Sequence, residues 1–118
     1  MQDFRELKVW QKSHGLALAV YRLTPGLPRT ELFGLTSQMR RAASSIGANI
    51  AEGCGRDGGA DLARFLQIAA GSARELENHA LLARDLGSVA RDDADRLATD
   101  IAEVKRMLYA LMQTVRHC

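Results

Sequence analysis

The chain has 118 residues, 47% of them hydrophobic, 25% charged and 5% aromatic, with two prolines and a formal net charge of +2. A chain of this length makes one domain, residues 1–118, and buries roughly two-thirds of its unfolded surface without help from a disulfide or a metal. Lys and Arg outnumber Asp and Glu by eight to five in residues 1–60 and fall behind by eight to nine in residues 61–118. That balance excludes a dedicated nucleic-acid binder, whose pI would exceed about 9, so any such surface is local or built by repetition. The low aromatic content and the wealth of Ala, Leu and Arg favour helix; a β-sandwich would draw on more Val, Thr and Tyr. No apolar stretch approaches the ~20 residues of a membrane span, and no apolar run follows the charged start as in a signal peptide. A cytoplasmic protein without membrane contact is expected. Cys54, in a predicted loop, and Cys118, at the terminus, form no C-x-x-C pair and are expected as free thiols.

Four segments lie between three breaks, Thr24-Pro25-Gly26-Leu27-Pro28, Gly53-Cys54-Gly55-Arg56-Asp57-Gly58-Gly59 and Gly87-Ser88. Helices are expected over about 7–23, 30–53, 60–86 and 92–116. The first presents Leu7, Trp10, Leu18 and Tyr21 before Pro25 stops it. The second begins its stripe at Leu32, Leu35 and Met39 and continues to Ile46 and Ile50, with a C-terminal half small on every side: Ala42, Ala43, Ser44, Ser45, Gly47, Ala48 and Ala51. Gly47 inside it costs about 1 kcal/mol against Ala unless packing compensates. Such a helix suits burial both in a bundle and in a subunit interface. The third carries Leu62, Phe65, Ala69, Ala73, Leu76, Ala80 and Ala83 and ends at the Gly after Leu86, a C′ residue. The fourth steps from Leu97 through Ile101, Val104, Leu108 and Leu111 to Val115, with Asp92 or Asp93 as its cap and an acidic first turn that suits the dipole. Short connections favour antiparallel neighbours, so the predicted fold is all-α, an antiparallel up-down-up-down four-helix bundle.

Several runs carry a family likeness: Val9-Trp10-Gln11-Lys12, Leu27-Pro28-x-x-Glu31-Leu32-Phe33-Gly34-Leu35, Gln38-Met39-Arg40-Arg41-Ala42-Ala43-x-Ser45-Ile46, Asn49-Ile50-Ala51-Glu52-Gly53-Cys54-Gly55-Arg56 and Phe65-Leu66-Gln67-Ile68-Ala69-x-Gly71-Ser72-x-x-Glu75-Leu76-Glu77. Over nearly its whole length the sequence resembles the bacterial four-helix-bundle proteins named after intervening sequences of large-subunit rRNA genes. That family is similar in fold to the accessory variability determinant of diversity-generating retroelements, a barrel-shaped pentamer with a basic surface that works with a reverse transcriptase and nucleic acid. The resemblance implies a homo-oligomer, a pentamer, with RNA or DNA and a reverse transcriptase or other protein as partners, and no reaction. The loop after Arg56 departs from the family pattern of Ser and Lys or Glu, having Gly58-Gly59-Ala60 instead.

Other motifs have plain readings. Gly53-x-Gly55-x-x-Gly58 matches a dinucleotide-binding string, but it follows a helix and does not join a strand to a helix N-terminus, so it reads as a helix end and turn. No Glu is followed three residues later by His, as a bundle di-iron site requires; Glu75 and His79, at i and i+4, read as a polar pair. Neither a metal nor a cofactor is expected, and no activated nucleophile is signalled among Ser44, Ser45, Cys54 and the histidines His14, His79 and His117, so an enzyme is not expected.

Two groups remain as candidate sites. Arg40 and Arg41, with Lys8, Lys12 and Arg22 available from the first helix, are candidates for sequence-tolerant phosphate contact, since a ring would repeat each charge around its axis. Asn49, Glu52, Gly53 and Arg56 are candidates for a structural or interface cluster, because a Glu in the last turn opposes the dipole and calls for a partner. On that reading, Glu52→Ala weakens stability or assembly by more than about 1 kcal/mol, more than an exposed ion pair is worth. The function expected is a non-enzymatic homo-oligomeric bundle that acts as a nucleic-acid accessory factor or, alternatively, as a protein-binding scaffold without a nucleic-acid role.

Overall fold

The computed structural model describes residues 3–116, and every regular element among them is helical. Four α-helices carry the fold: α1 Lys8–Leu23, α2 Leu35–Cys54, α3 Gly59–Asp85 and α4 Arg91–Arg116, with short 3₁₀ turns at Phe4–Glu6, Thr24–Gly26 and Arg29–Glu31. Each helix packs on two neighbours, α1 on α2, α2 on α3, α3 on α4 and α4 back on α1. The molecule extends 45 Å along its long axis and 23 and 20 Å across it. A 27-residue helix such as α3 is about 40 Å long at 1.5 Å per residue, so the helices lie side by side along that axis.

Contacts between the helices fix their directions. Gly47 meets Trp10 while Arg40 reaches Tyr21 and Thr24, so α1 and α2 run antiparallel. Gly53 meets Leu62 and Phe65 while Ser45 pairs with Ser72. Glu77 binds Lys105 while Arg74 reaches Tyr109, and Lys12 pairs with Asp100 and Glu103. The topology is therefore up-down-up-down.

The core draws on all four helices, with Leu16 and Val20 of α1 buried in it beside the larger share from α2, α3 and α4. Met39, Ile46, Ile50, Leu66, Leu76, Ile101, Val104 and Leu108 are fully buried, with Ala42, Ala43, Ala69, Ala70 and Ala73 between them. Small residues on both helices let α2 and α3 approach closely, and this is the most extensive seam. Gly53 shows how close: a Cβ there would stand 2.9 Å from both Leu62 Cδ1 and Phe65 Cβ. The α3 end follows the C′ reading in detail. Gly87 has φ of 71°, its N–H donates to Arg84 O at 3.0 Å, and Ser88 N–H donates to Ala83 O at 3.0 Å, which together make a Schellman motif. Asp92 and Asp93 lie inside the first turn of α4, which begins at Arg91, where their charge meets the positive end of the dipole.

Three local expectations need correction. The second helix begins at Leu35, not at 30: Arg29–Glu31 forms a separate 3₁₀ turn, and Gly34, at φ −110° and ψ −108°, breaks the chain before α2 starts. Leu32 therefore sits outside the helix and exposed, and Phe33 is 92% exposed. In α1 the buried face is Val9, Ser13, Leu16 and Val20, while Leu18 and Tyr21 face outward. Ser13 is the reason the true stripe was hidden. Its hydroxyl donates to Val9 O at 2.7 Å, satisfying itself within the helix, so a polar residue stands in a core position. Cys54, expected in a loop, is instead the buried last residue of α2, a free thiol whose pKa is raised by desolvation. His117 and Cys118 lie outside the described residues.

Candidate functional site

The displaced face of α1 produces the main surface feature. Trp10, His14, Ala17, Leu18 and Tyr21 on α1 and Ala43, Ser44, Gly47, Ala48 and Ala51 on α2 line a groove of about 430 Å³. None of them is an acid, a lysine or an arginine. Leu18 is 41% and Tyr21 47% exposed. The groove exists because α2 is small on this side. Trp10 lies over Gly47, with its Nε1 3.4 Å from where a Cβ would stand, so the packing that offsets Gly47's poor propensity is the indole itself. Phe4 packs edge-on against Trp10 at 5.1 Å between ring centroids, and His14 stacks on it at 4.7 Å and 16°. These contacts hold the indole at one end of the groove.

At the other end, Arg40 is a staple between helices. Its Nε donates to the buried Thr24 Oγ1 at 2.8 Å, and its guanidinium lies 5.1 Å from the Tyr21 ring centroid. Lys12 is also engaged: it stands 3.5 Å from Asp100 and 3.2 Å from Glu103 on α4. Glu103 first and then Asp100 raise its pKa above the ordinary lysine value. The stabilisation from a raised lysine pKa is complete below the unfolded-state pKa and disappears as pH climbs through the raised value. Arg41 and Lys8 are exposed. Arg40, Arg41, Lys8 and Lys12 do not gather into one patch on a single chain, and Arg22 lies in the α1–α4 groove beside Asp93 and Asp100. Lys12 turns to α4, and Lys8 lies thirteen residues before Tyr21, about 20 Å along α1 from the Arg40 end.

The second group also divides. Asn49 Nδ2 donates to Ser45 O at 2.8 Å and to Ser45 Oγ at 3.0 Å, and Ser45 Oγ lies 2.9 Å from Ser72 Oγ on α3. That network spans the α2–α3 seam and does not include Glu52. Glu52 pairs instead with Arg56 at 2.8 Å, both half-exposed, with side chains 54% and 46% accessible. The Arg56 guanidinium also lies 5.2 Å from the Phe65 ring centroid, with Arg64 at 4.6 Å from it. Within one chain this is an ordinary exposed i, i+4 pair, and Gly53 beside it is a packing residue. Glu52→Ala is accordingly expected to change the unfolding free energy by about 0.5 kcal/mol or less in urea denaturation of the monomeric bundle. A loss above about 1 kcal/mol would place the pair in a buried environment.

The glycine string is structural as well: Gly53 is a contact, Gly55 the C-cap of α2, and Gly58, at φ 94°, the residue before α3, in a conformation that only Gly adopts without strain. His79 Nε2 stands 3.6 Å from Glu75 Oε1. Among the described residues no group of three or more His, Cys, Asp or Glu could hold a metal ion, and no helix is long and apolar enough to cross a membrane.

The fold and this surface define a class: a small all-helical bundle whose most distinctive exposed feature is an uncharged groove between two helices. The chain belongs to the 23S rRNA-intervening sequence protein family, whose model matches residues 5–110. It is similar to the crystal structure of a protein of unknown function from the S23 ribosomal protein family of Bacteroides thetaiotaomicron VPI-5482, with a TM-score of 0.82 and 28% identity over 88% of this chain and 97% of that one. No curated protein matches the sequence.

Proposed function

We propose that this chain is a non-enzymatic assembly module, a homo-oligomer that buries the α1–α2 groove of each copy, with the pentamer implied by the family resemblance as its expected form. The observation that carries this reading is the groove itself, where Trp10, Leu18 and Tyr21 keep apolar surface in water beside a helix of Ala and Gly. Exposed apolar surface of this kind marks interaction sites, and aromatic side chains are enriched in interface cores. Single apolar side chains are exposed elsewhere as well, Ile68 and Leu82 on α3 and Leu86 just past its end. A head-to-tail contact through the groove closes into a ring when the rotation allows. His14 is the one imidazole lining the groove, and its ring is stacked on Trp10, which favours binding over acid–base chemistry.

Sedimentation velocity on the wild type and on Leu18→Glu tests the proposal. The wild type is expected to sediment as an oligomer at micromolar concentration, and Leu18→Glu as a folded monomer with unchanged helical circular dichroism. A monomeric wild type, or an oligomer that Leu18→Glu leaves intact, overturns it. Sequence-tolerant contact with RNA or DNA is the second reading, supported by the exposure of Arg41 and Lys8, each of which a ring would repeat.

A further inference from the structure

The far side of the bundle, between α3 and α4, holds a small polar pocket that the sequence motifs do not signal. It has a volume of about 140 Å³ and is lined by Gln67, Ala70 and Arg74 from α3 and Tyr109, Met112, Gln113 and Arg116 from α4. The spacing explains the convergence. Gln67 and Arg74 lie two turns apart on α3, with buried Ala70 between them, so a side chain too small to fill the space separates two long ones. Tyr109, Gln113 and Arg116 follow at i, i+4 and i+7 on the facing strip of α4. Buried Met112 and Ala70 form the floor.

The chemistry of the lining is one-sided. Two guanidiniums and two carboxamides supply donors, the Arg74 Nη1 donates to Tyr109 Oη, and no carboxylate lines the space. Arg74 and Arg116 take part in none of the salt bridges to side-chain carboxylates among the described residues. The groove between α1 and α4 provides the contrast: it also holds two arginines, Arg22 and Arg96, but Asp93 and Asp100 line it with them, so its charge is balanced internally. At about 140 Å³ the α3–α4 pocket has room for a tetrahedral anion. Arginine forks match phosphate oxygens in pairs, and amide donors complete such a shell.

We propose that the Arg74–Arg116 pocket binds a phosphate group. Free inorganic phosphate and a backbone phosphodiester of nucleic acid share that chemistry, and the experiment separates them. The proposal does not depend on self-association, since the pocket lies within one chain and opposite the α1–α2 groove.

Melting temperatures are measured in inorganic phosphate and in chloride at equal ionic strength, for the wild type, for Arg74→Gln/Arg116→Gln, and for Arg91→Gln, an exposed arginine at the start of α4 outside the pocket. Anion binding to the folded state raises the midpoint. The phosphate-specific rise is expected in the wild type and in Arg91→Gln and absent in the double variant, whose melting in chloride shows that it folds. Equal midpoints in the two salts for the wild type, or a rise that survives in the double variant, overturn the proposal. Fluorescence anisotropy with labelled single-stranded and duplex RNA then assigns the source. Binding tighter than that of inorganic phosphate, displaced by it, with a salt slope that falls by about one for each arginine removed, identifies a backbone phosphodiester. RNA binding no tighter than that of inorganic phosphate identifies the free anion.

Discussion

Gly53→Val is expected to destabilise the bundle by about 3 kcal/mol, the upper part of the usual range for overpacking a well-filled core. The reason is local and rigid. A Cβ at position 53 would stand 2.9 Å from Leu62 Cδ1 and 2.9 Å from Phe65 Cβ. The leucine tip can rotate away, but Phe65 Cβ is fixed to the α3 backbone, so α2 and α3 must separate along the seam that carries most of the core. Gly53→Ala meets the same atoms, yet recovers about 1 kcal/mol of helix propensity, so its net loss is expected to be smaller. Gly71→Ala, where nothing lies within 4 Å of the added atom, is expected to stabilise by up to about 1 kcal/mol. Urea denaturation with an unchanged m-value measures all three. A Gly53→Val midpoint equal to that of the wild type would show that the seam is looser than these distances say.

Ile46→Ala is expected to cost about 3–4 kcal/mol, within the range for deleting a fully buried Ile. Ile46 is one of the few large side chains on α2; Ala42, Ala43 and Gly47 around it on the helix have nothing to extend into the space it would leave. The cavity therefore stays open, and the penalty sits high in the range. Leu18→Ala removes as many carbons from the other side of the α1–α2 pair, but Leu18 is 41% exposed, so the same measurement on the monomer is expected to show about 1 kcal/mol or less. The ranking reverses when the readout is assembly. Leu18 lines the groove and Ile46 does not, so a variant set in which both properties followed the same order would argue against the groove as a contact face.

Much of the architecture is legible along the chain, because helices announce themselves locally. The α4 stripe from Leu97 to Leu108 is buried as its spacing implies, and the Gly after Leu86 closes α3 through hydrogen bonds that only a left-handed residue permits without strain. Legibility fails where local and tertiary demands part. The core face of α1 includes Ser13, which satisfies its own hydroxyl within the helix, so hydrophobic periodicity pointed to Leu18 and Tyr21 instead. The apparent beginning of the second helix at Thr30 has the residues of a helix, but the geometry at Gly34 interrupts it and leaves Phe33 in solvent. Arg40 and Lys12 read as free positive charge, whereas folding brings Thr24, Asp100 and Glu103 to them from 12 or more residues away.

What the sequence determined by itself is the set of short-range decisions: four helices, three breaks, the close-packed small-residue half of α2, and membership of a family whose motifs are spread along the chain. Each depends on neighbours within a turn or two, where capping, propensity and side-chain size act directly. The tertiary structure alone decided which face of α1 is left over as a groove, which arginines and lysines are engaged by other helices, and that Arg74 and Arg116 line one pocket between α3 and α4. Those outcomes depend on how helices are rotated about their axes when they pack, and that rotation is set by the whole core at once and not by any one segment.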